Sequence, residues 1–240
     1  MFPRVDGRGG WESSAEGWLK IQGEDGDWLR KWVLDDLVFD LCAPAQGCLL
    51  LDVGCGDGRF ARKLEAVGIR VVGVDPILPF LARAHGIGAG KFVRAVGECL
   101  PFSNATFDAV LSYITLVDMP DYRSAIGEME RVLRSGGRLV VATISPFTSS
   151  TNGWVKDEAG RKLFFPVDRY LEETEQVLAW KGIQIMNYHR PMSAIMEAFL
   201  SCGLILEHYL EPRPIEGAPR DEAEDYVRAP YATVLVWKKP

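Results

Sequence analysis

The chain has only three histidines and five cysteines in 240 residues, and neither set is spaced to hold a metal ion. The cysteines (Cys42, Cys48, Cys55, Cys99 and Cys202) are odd in number and no two form a C-x-x-C pair. That argues against a disulfide framework and a zinc site, and for the reduced thiols of a cytoplasmic protein. No apolar run approaches the ~20 residues that span a bilayer, so no membrane partner is expected. Met1–Gly10 lacks the apolar centre of a secretion signal. Basic side chains are outnumbered, 27 against 33 acidic ones, which gives a net charge of −6 and a pI near 5.2. With no basic cluster to offset this balance, a nucleic-acid partner is disfavoured. What remains is 48% hydrophobic and 25% charged, the make-up of one globular domain with an elaboration.

The informative stretch is Leu49-Leu-Leu-Asp-Val-Gly-Cys-Gly-Asp-Gly-Arg-Phe60. An apolar run ends in an acid, three glycines alternate, and a helical pattern begins at once. Such a run reads as a buried parallel strand, and buried parallel strands imply a doubly wound α/β sheet whose ligands sit at the carboxyl ends of its strands. A dinucleotide fingerprint, G-x-G-x-x-G, needs a third glycine where this chain has Arg59. Asp52, just before the turn, would repel a pyrophosphate and suit a cationic ligand. A second strand, Arg70 to Val74, ends in Asp75, 21 residues after Gly54 (75 − 54). At that distance a carboxylate accepts hydrogen bonds from ribose hydroxyls. Together these features point to a nucleoside bound without pyrophosphate.

Four segments in order carry a resemblance: Leu51-Asp-Val-Gly-Cys-Gly-Asp-Gly58, Gly73-Val-Asp75, Glu98-Cys-Leu-Pro-Phe102 and Val132-Leu-Arg-Ser-Gly-Gly-Arg-Leu139. With them the chain resembles the class I S-adenosylmethionine-dependent methyltransferases, in their small-molecule branch. The resemblance implies a Rossmann-like seven-stranded sheet with an antiparallel last strand, S-adenosylmethionine as cofactor and S-adenosylhomocysteine as product. It assigns Gly54, Cys55 and Gly56 to the methionyl and ribose side, and Asp52 to the amino group. Asp75 would bind the ribose hydroxyls, and Pro76 with Ile77 would cover adenine. Ser112-Tyr113-Ile114 falls where the family's backbone nears the sulfonium. The adenine edge normally meets G-D-A-E-x-L-P-F. Here Val96 replaces the aspartate, leaving the Gly97 amide and Glu98 as contacts.

The alternation of β and α segments places the cofactor core at residues 47–145, after an N-terminal cap at 1–46. Within the cap, residues 1–26 read as polar and glycine-rich. A helix follows from the N-cap Asp27 through Leu41. The pattern breaks at 146–190, where seven aromatics fall in 45 residues and suggest a lid or pocket wall. The sheet resumes over 191–240, with a helix ended by Gly203, a strand at 204–210, a mobile-looking loop at 211–230 and a last strand from Ala232 to Trp237. No repeat or second domain is visible, and the oligomeric state is left open.

Methyl transfer from a sulfonium needs alignment above all, so the catalytic signature is sparse. Asp118 follows the fourth core strand where relatives often place a histidine, and reads either as a base or substrate anchor, or as a cap for the turn beside Pro120. Of the histidines, His85 and His208 read as structural. His189, where the lid rejoins the core, is the base candidate because its intrinsic pKa lies near neutrality. Trp18, Trp28, Arg30, Trp154 and Tyr188 are candidate contacts to a small-molecule substrate. A non-catalytic cofactor-binding protein of the same fold is the alternative, and a nicotinamide-dependent oxidoreductase a remote one.

Overall fold

In a computed structural model of the chain, the structure describes residues 9–42, 47–88, 90–151 and 153–240. The first eight residues of the expected cap, with most of the segment read for a secretion signal, lie outside it, as do 43–46 at the cap's end. The chain opens with α1 (Trp11–Gln22), then a π-helical turn at Arg30–Leu34 running into α2 (Asp35–Cys42). The core alternates β1 (Leu49–Val53), α3 (Arg59–Glu65), β2 (Arg70–Asp75), α4 (Leu78–Ile87), β3 (Lys91–Arg94), β4 (Phe107–Tyr113), α5 (Tyr122–Val132) and β5 (Leu133–Ile144).

After a short turn, α6 (Pro146–Ser149), come two hairpins. They are β6 (Val155–Lys156) with β7 (Lys162–Phe164), and β8 (Thr174–Trp180) with β9 (Ile183–His189). The chain closes with α7 (Met192–Ser201), β10 (Ile205–Leu210), α8 (Arg220–Arg228) and β11 (Ala232–Lys238).

The main sheet has the order β10-β11-β5-β4-β1-β2-β3. The strands from β3 to β5 are parallel, and β11 runs antiparallel to both of its neighbours. This is the expected doubly wound sheet with an antiparallel last strand. The central strands are apolar on both faces because helices cover both. Leu50, Leu111, Val140 and Val234 pack under α2 and α3, whereas Leu51, Val110, Val141 and Leu235 pack under α5 and α7. The period of two along each strand sorts these side chains without exception. A stacked pair, Phe199 on Trp237 at 4.8 Å, closes the second layer.

Four local readings change. Residues 1–26 contain α1, whose Trp11, Ala15, Trp18, Leu19 and Gln22 recur at helical spacing behind the polar composition. The 211–230 loop contains α8, with Asp221 and Glu222 in its first turn and Arg228 in its last, as the helix dipole prefers. Gly136-Gly137 does not end α5. The pair lies within β5, at a register shift between Phe107 and Ala109 of β4. Asp118 caps no helix: the α5 cap is Asp121, whose side chain accepts from the Ser124 amide at 3.1 Å.

The β8–β9 hairpin is tied to α1 and to Gly9 ahead of it rather than packed on itself alone. The Gln184 amide of β9 donates to Ser14 Oγ of α1 at 3.0 Å, and the Met186 amide donates to Gly9 O at 2.8 Å. α1 and the β8–β9 hairpin thus close over the carboxyl ends of the parallel strands together.

Candidate active site

The site grows from the turn after β1. Gly54 has φ +78°, and a Cβ there would meet Thr115 Cγ2 at 2.4 Å, so backbone freedom and close approach both require glycine. Gly56 donates its amide to Asp75 Oδ2 at 2.9 Å, and the Ile77 amide donates to Asp75 Oδ1 at 2.8 Å. The second-strand acid thus holds the glycine loop and the start of α4 in register. Arg59, the residue that breaks the dinucleotide pattern, is 4% exposed and forks onto Asp35 of α2 at 2.6 and 2.9 Å. Tyr113 Oη donates to the same carboxylate at 2.6 Å and Lys63 Nζ at 2.5 Å. Burial works to raise the Asp35 pKa, but Arg59, Lys63 and Tyr113 hold it below the ordinary carboxylate range. A second link from the cap runs from Gln22 Nε2 to Asp57 Oδ1 at 3.0 Å.

Two cavities lie above the strand ends. The first, of about 290 Å³, is lined by Asp52, Gly54, Cys55, Gly56, Asp75, Pro76 and Ile77 from the first two strand turns. Gly97, Glu98, Tyr113 and Tyr188 join them around it, with Val96 half exposed at its edge. Asp52 is 2% exposed and its Oδ1 has no hydrogen-bond partner. Burial, then the charge of Asp75, pushes its pKa up to about 7, and burial pushes Asp75 to about 6. Asp52 lines this cavity, and a carboxylate there suits the cationic amino group of the expected cofactor, while Asp75 lies at the end of the neighbouring strand for the ribose. Burial and the same two acids push the Cys55 thiol well above its usual value, which makes it inert as a nucleophile.

The second cavity, of about 690 Å³, sits under the β8–β9 hairpin. Trp11, Trp18, Arg30, Ile114 and Asp118 line both cavities and form their common wall. Ile114 holds φ +55°, a strained conformation for a β-branched residue, directly after β4. Asp118 accepts from the Trp11 side chain of α1 and from Asn187 Nδ2 of β9 at 2.5 Å. Part of its surface faces the cavities, yet it sits deep enough in the cleft that burial pushes its pKa up to about 7. Arg190 positions the turn that carries it, donating to Leu116 O at 2.8 Å and to Met119 O.

Other expected residues lie elsewhere. His189 is 2% exposed and lines only the second cavity, with Nδ1 2.8 Å from Ser149 Oγ and Nε2 2.9 Å from Tyr170 O. Ser112 is buried, its Oγ bonded to Thr115 Oγ1 at 2.9 Å, and lines neither cavity. Trp28 stacks on Tyr226 of α8 at 4.2 Å, and Trp154 Nε1 donates to Tyr231 Oη at 2.6 Å. Neither tryptophan is among the residues that line the two cavities. His85 and His208 are exposed and away from both. Sequence reasoning missed Trp11, Ser149 and Asn187. The helical spacing of Trp11 with Trp18 was the available signal for the first; the other two had none.

Comparison with known proteins agrees with this geometry. Residues 51–141 match the family described as a methyltransferase domain (Methyltransf_11). A demethylmenaquinone methyltransferase of Thermus thermophilus is 38% identical over 132 residues, 52% of this chain and 57% of that protein. A ubiquinone biosynthesis O-methyltransferase of Xylella fastidiosa is 35% identical over 108 residues, 42% of this chain and 44% of that protein. The chain thus spans about half the length of these curated relatives. An S-adenosylmethionine-dependent methyltransferase structure from Mesorhizobium loti superposes with a TM-score of 0.78 at 26% identity, covering 90% of this chain and all of that one. Strand order, glycine turn, second-strand acid and family match therefore agree: residues 51–141 form a methyltransferase domain within a class I methyltransferase fold, and the cofactor this implies is S-adenosylmethionine.

Proposed function

We infer that this protein transfers a methyl group from S-adenosylmethionine to a hydroxyl, amine or carbon of a small, partly apolar organic molecule. The observation that carries the reading is the common wall. A cavity suited to the cofactor adjoins a larger aromatic one, and the residues between them include a carboxylate. The named relatives, one for demethylmenaquinone and one for ubiquinone biosynthesis, support a small organic acceptor.

The whole chain works as one domain: residues 1–46 as cap, 47–145 as cofactor core, 146–190 as lid and 191–240 completing the sheet. When bound, S-adenosylmethionine supplies a methyl on a sulfonium, whose sulfur–carbon bond breaks as the bond to the acceptor forms. The protein's part begins with Asp52, set for the cofactor's ammonium. Asp75 takes the ribose, Pro76 and Ile77 cover adenine, and Gly97 with Glu98 meets its edge in place of the aspartate replaced by Val96. Asp118 accepts the proton of the acceptor's nucleophilic group, a role suited to a carboxylate whose pKa burial lifts to about 7. Trp18 and Arg30 hold the acceptor against the wall, Tyr188 closes the cofactor side, and α1 with the β8–β9 hairpin excludes water.

Calorimetric titration with S-adenosylmethionine, S-adenosylhomocysteine and NADH in parallel tests the reading. Binding of the two adenosyl ligands alone supports it; NADH binding, or no adenosyl binding, sinks it.

A further inference from the structure

The larger cavity is roofed by the β8–β9 hairpin, and the period of two along a strand fixes which side chains share its inner face. Toward the turn, the cross-strand pairs on that face are Thr174–His189, Gln176–Asn187, Leu178–Ile185 and Trp180–Ile183. Burial agrees with this assignment: Ile183, Ile185 and His189 are buried, whereas Glu175 and Ala179 of the opposite face are exposed. Each pair contributes at least one residue to the cavity wall, and successive pairs stand about 7 Å apart. Two polar pairs are therefore followed by two apolar ones. At about 690 Å³ the space falls in the range of pockets that enclose drug-sized molecules, roughly 300–1,000 Å³.

Polar groups from the other walls gather at the polar pairs. Asn187 Nδ2 donates to Asp118 Oδ1 at 2.5 Å, and Gln176 Nε2 donates to Ser149 O at 2.8 Å. Ser149 Oγ lies 2.8 Å from His189 Nδ1. Asp118, Ser149, Gln176, Asn187 and His189 thus form one continuous polar end, and the carboxylate at the wall of the first cavity belongs to it. Gln176 keeps its Oε1 and a second N–H, so this end both donates to and accepts from a head group. In the two apolar pairs the Trp180 indole carries the one polar side-chain atom, and the strand ends below add Ile114 and Ile144. Arg30 is paired with Asp27 at 3.0 Å and lies over the Trp18 ring at 5.0 Å, in the wall shared with the first cavity.

Resting on the methyltransferase reading, we propose that the larger cavity takes a one-headed amphiphile, a ring whose polar substituents sit together against Asp118 and Gln176 while a single apolar chain runs under Leu178 and Ile185 toward Trp180. The methylated group is one of the polar substituents. From the Gln176 pair to the Trp180 pair is about 13 Å, room for a chain of several carbons beyond the ring. A second polar group on that chain would lie against Leu178 or Ile185 and lose the hydrogen bonds it makes with water.

The test uses the full chain saturated with S-adenosylhomocysteine, titrated calorimetrically with para-ethyl-, para-butyl- and para-hexylphenol. Affinity is expected to rise about threefold for each added methylene, as burial of that group requires. The butyl probe with a hydroxyl at its chain end should bind about tenfold or more weakly than the plain butyl probe. Leu178→Asn should flatten the rise with chain length. Gln176→Leu should weaken every probe by about tenfold and leave the rise as it is. Trp180→Ser and Gln176→Met stand in for a variant that fails to fold. Affinity independent of chain length, a rise that survives in folded Leu178→Asn or Trp180→Ser, a folded Gln176 variant that does not weaken the shortest probe, or binding of no probe overturns the proposal and leaves the cofactor reading intact. Failure of S-adenosylhomocysteine itself to bind overturns the methyltransferase reading, and the proposal with it.

Discussion

Removing Asp35 strands a charge. Its carboxylate accepts two bonds from the Arg59 guanidinium, one from Tyr113 and one from Lys63, with Arg59 and Asp35 only 4% and 5% exposed at the side chain. In Asp35→Leu, Lys63 can turn to solvent, but Arg59 remains buried without its partner and the Tyr113 hydroxyl loses its acceptor. An uncompensated buried cation costs about 3–5 kcal/mol. For a chain of this size that corresponds to a fall in Tm of about 6–20 °C. The double variant Asp35→Leu/Arg59→Met removes both charges and should recover most of the loss, because two buried charges gain little over well-packed apolar groups. Differential scanning calorimetry of wild type, both single variants and the double variant reads the cycle. The reasoning fails if Asp35→Leu loses less than about 1 kcal/mol, or if the double variant falls by the sum of the singles. Because the pair ties α2 to the first turn of α3, cofactor affinity should weaken with the singles even where the protein stays folded.

Asp75→Ala should weaken S-adenosylmethionine binding by about a hundredfold or more, since it removes charged acceptors for two hydroxyls and the brace of the glycine loop. Unchanged affinity in a folded variant would remove Asp75 from the ribose. Burial raises Asp52 to about 7 and Asp75 to about 6, so between the unfolded carboxylate range and pH 7 the folded chain holds protons that the unfolded chain does not. Stability of the ligand-free protein should therefore fall as pH rises through that window, and chemical denaturation from pH 5 to 7.5 checks the sign. Binding of the cofactor's ammonium beside Asp52 favours its ionised form. Proton release near pH 6.5 should then appear as a binding enthalpy that varies with buffer. Asn187→Leu removes a donor that lowers the Asp118 pKa, so the acid limb of the rate profile should move to higher pH; a profile that does not move separates Asp118 from proton transfer.

The lining of the first cavity was readable because local backbone geometry builds it. Gly54, Asp75 and Pro76 sit in two short strand-to-helix turns, and the spacing between those turns is fixed by one βαβ unit, so a linear pattern carries a three-dimensional one. The seven-stranded sheet was readable for the same reason. Core strands buried on both faces give apolar runs such as Leu49–Val53, whereas the half-exposed β10 gives a weaker signal. α1 escaped notice because its apolar stripe is diluted by glycine and charge before it. The stripe becomes informative only once β9 and α4 are there to cover it.

The second cavity was not readable, and the reason is assembly from distant segments. Trp11 comes from α1, Asp118 from the turn after β4, Ser149 from α6, Gln176 from β8, and Asn187 and His189 from β9. No spacing rule links them, and each alone reads as a capping or scaffold residue. His189 illustrates the consequence. By residue type it is the natural base, but its Nε2 is committed to Tyr170 O and its Nδ1 to Ser149 Oγ, while Asp118 stands at the wall between the cavities. Position relative to the first cavity, rather than residue type, separates the two candidates: the carboxylate lines both cavities, whereas the histidine lines only the larger of the two.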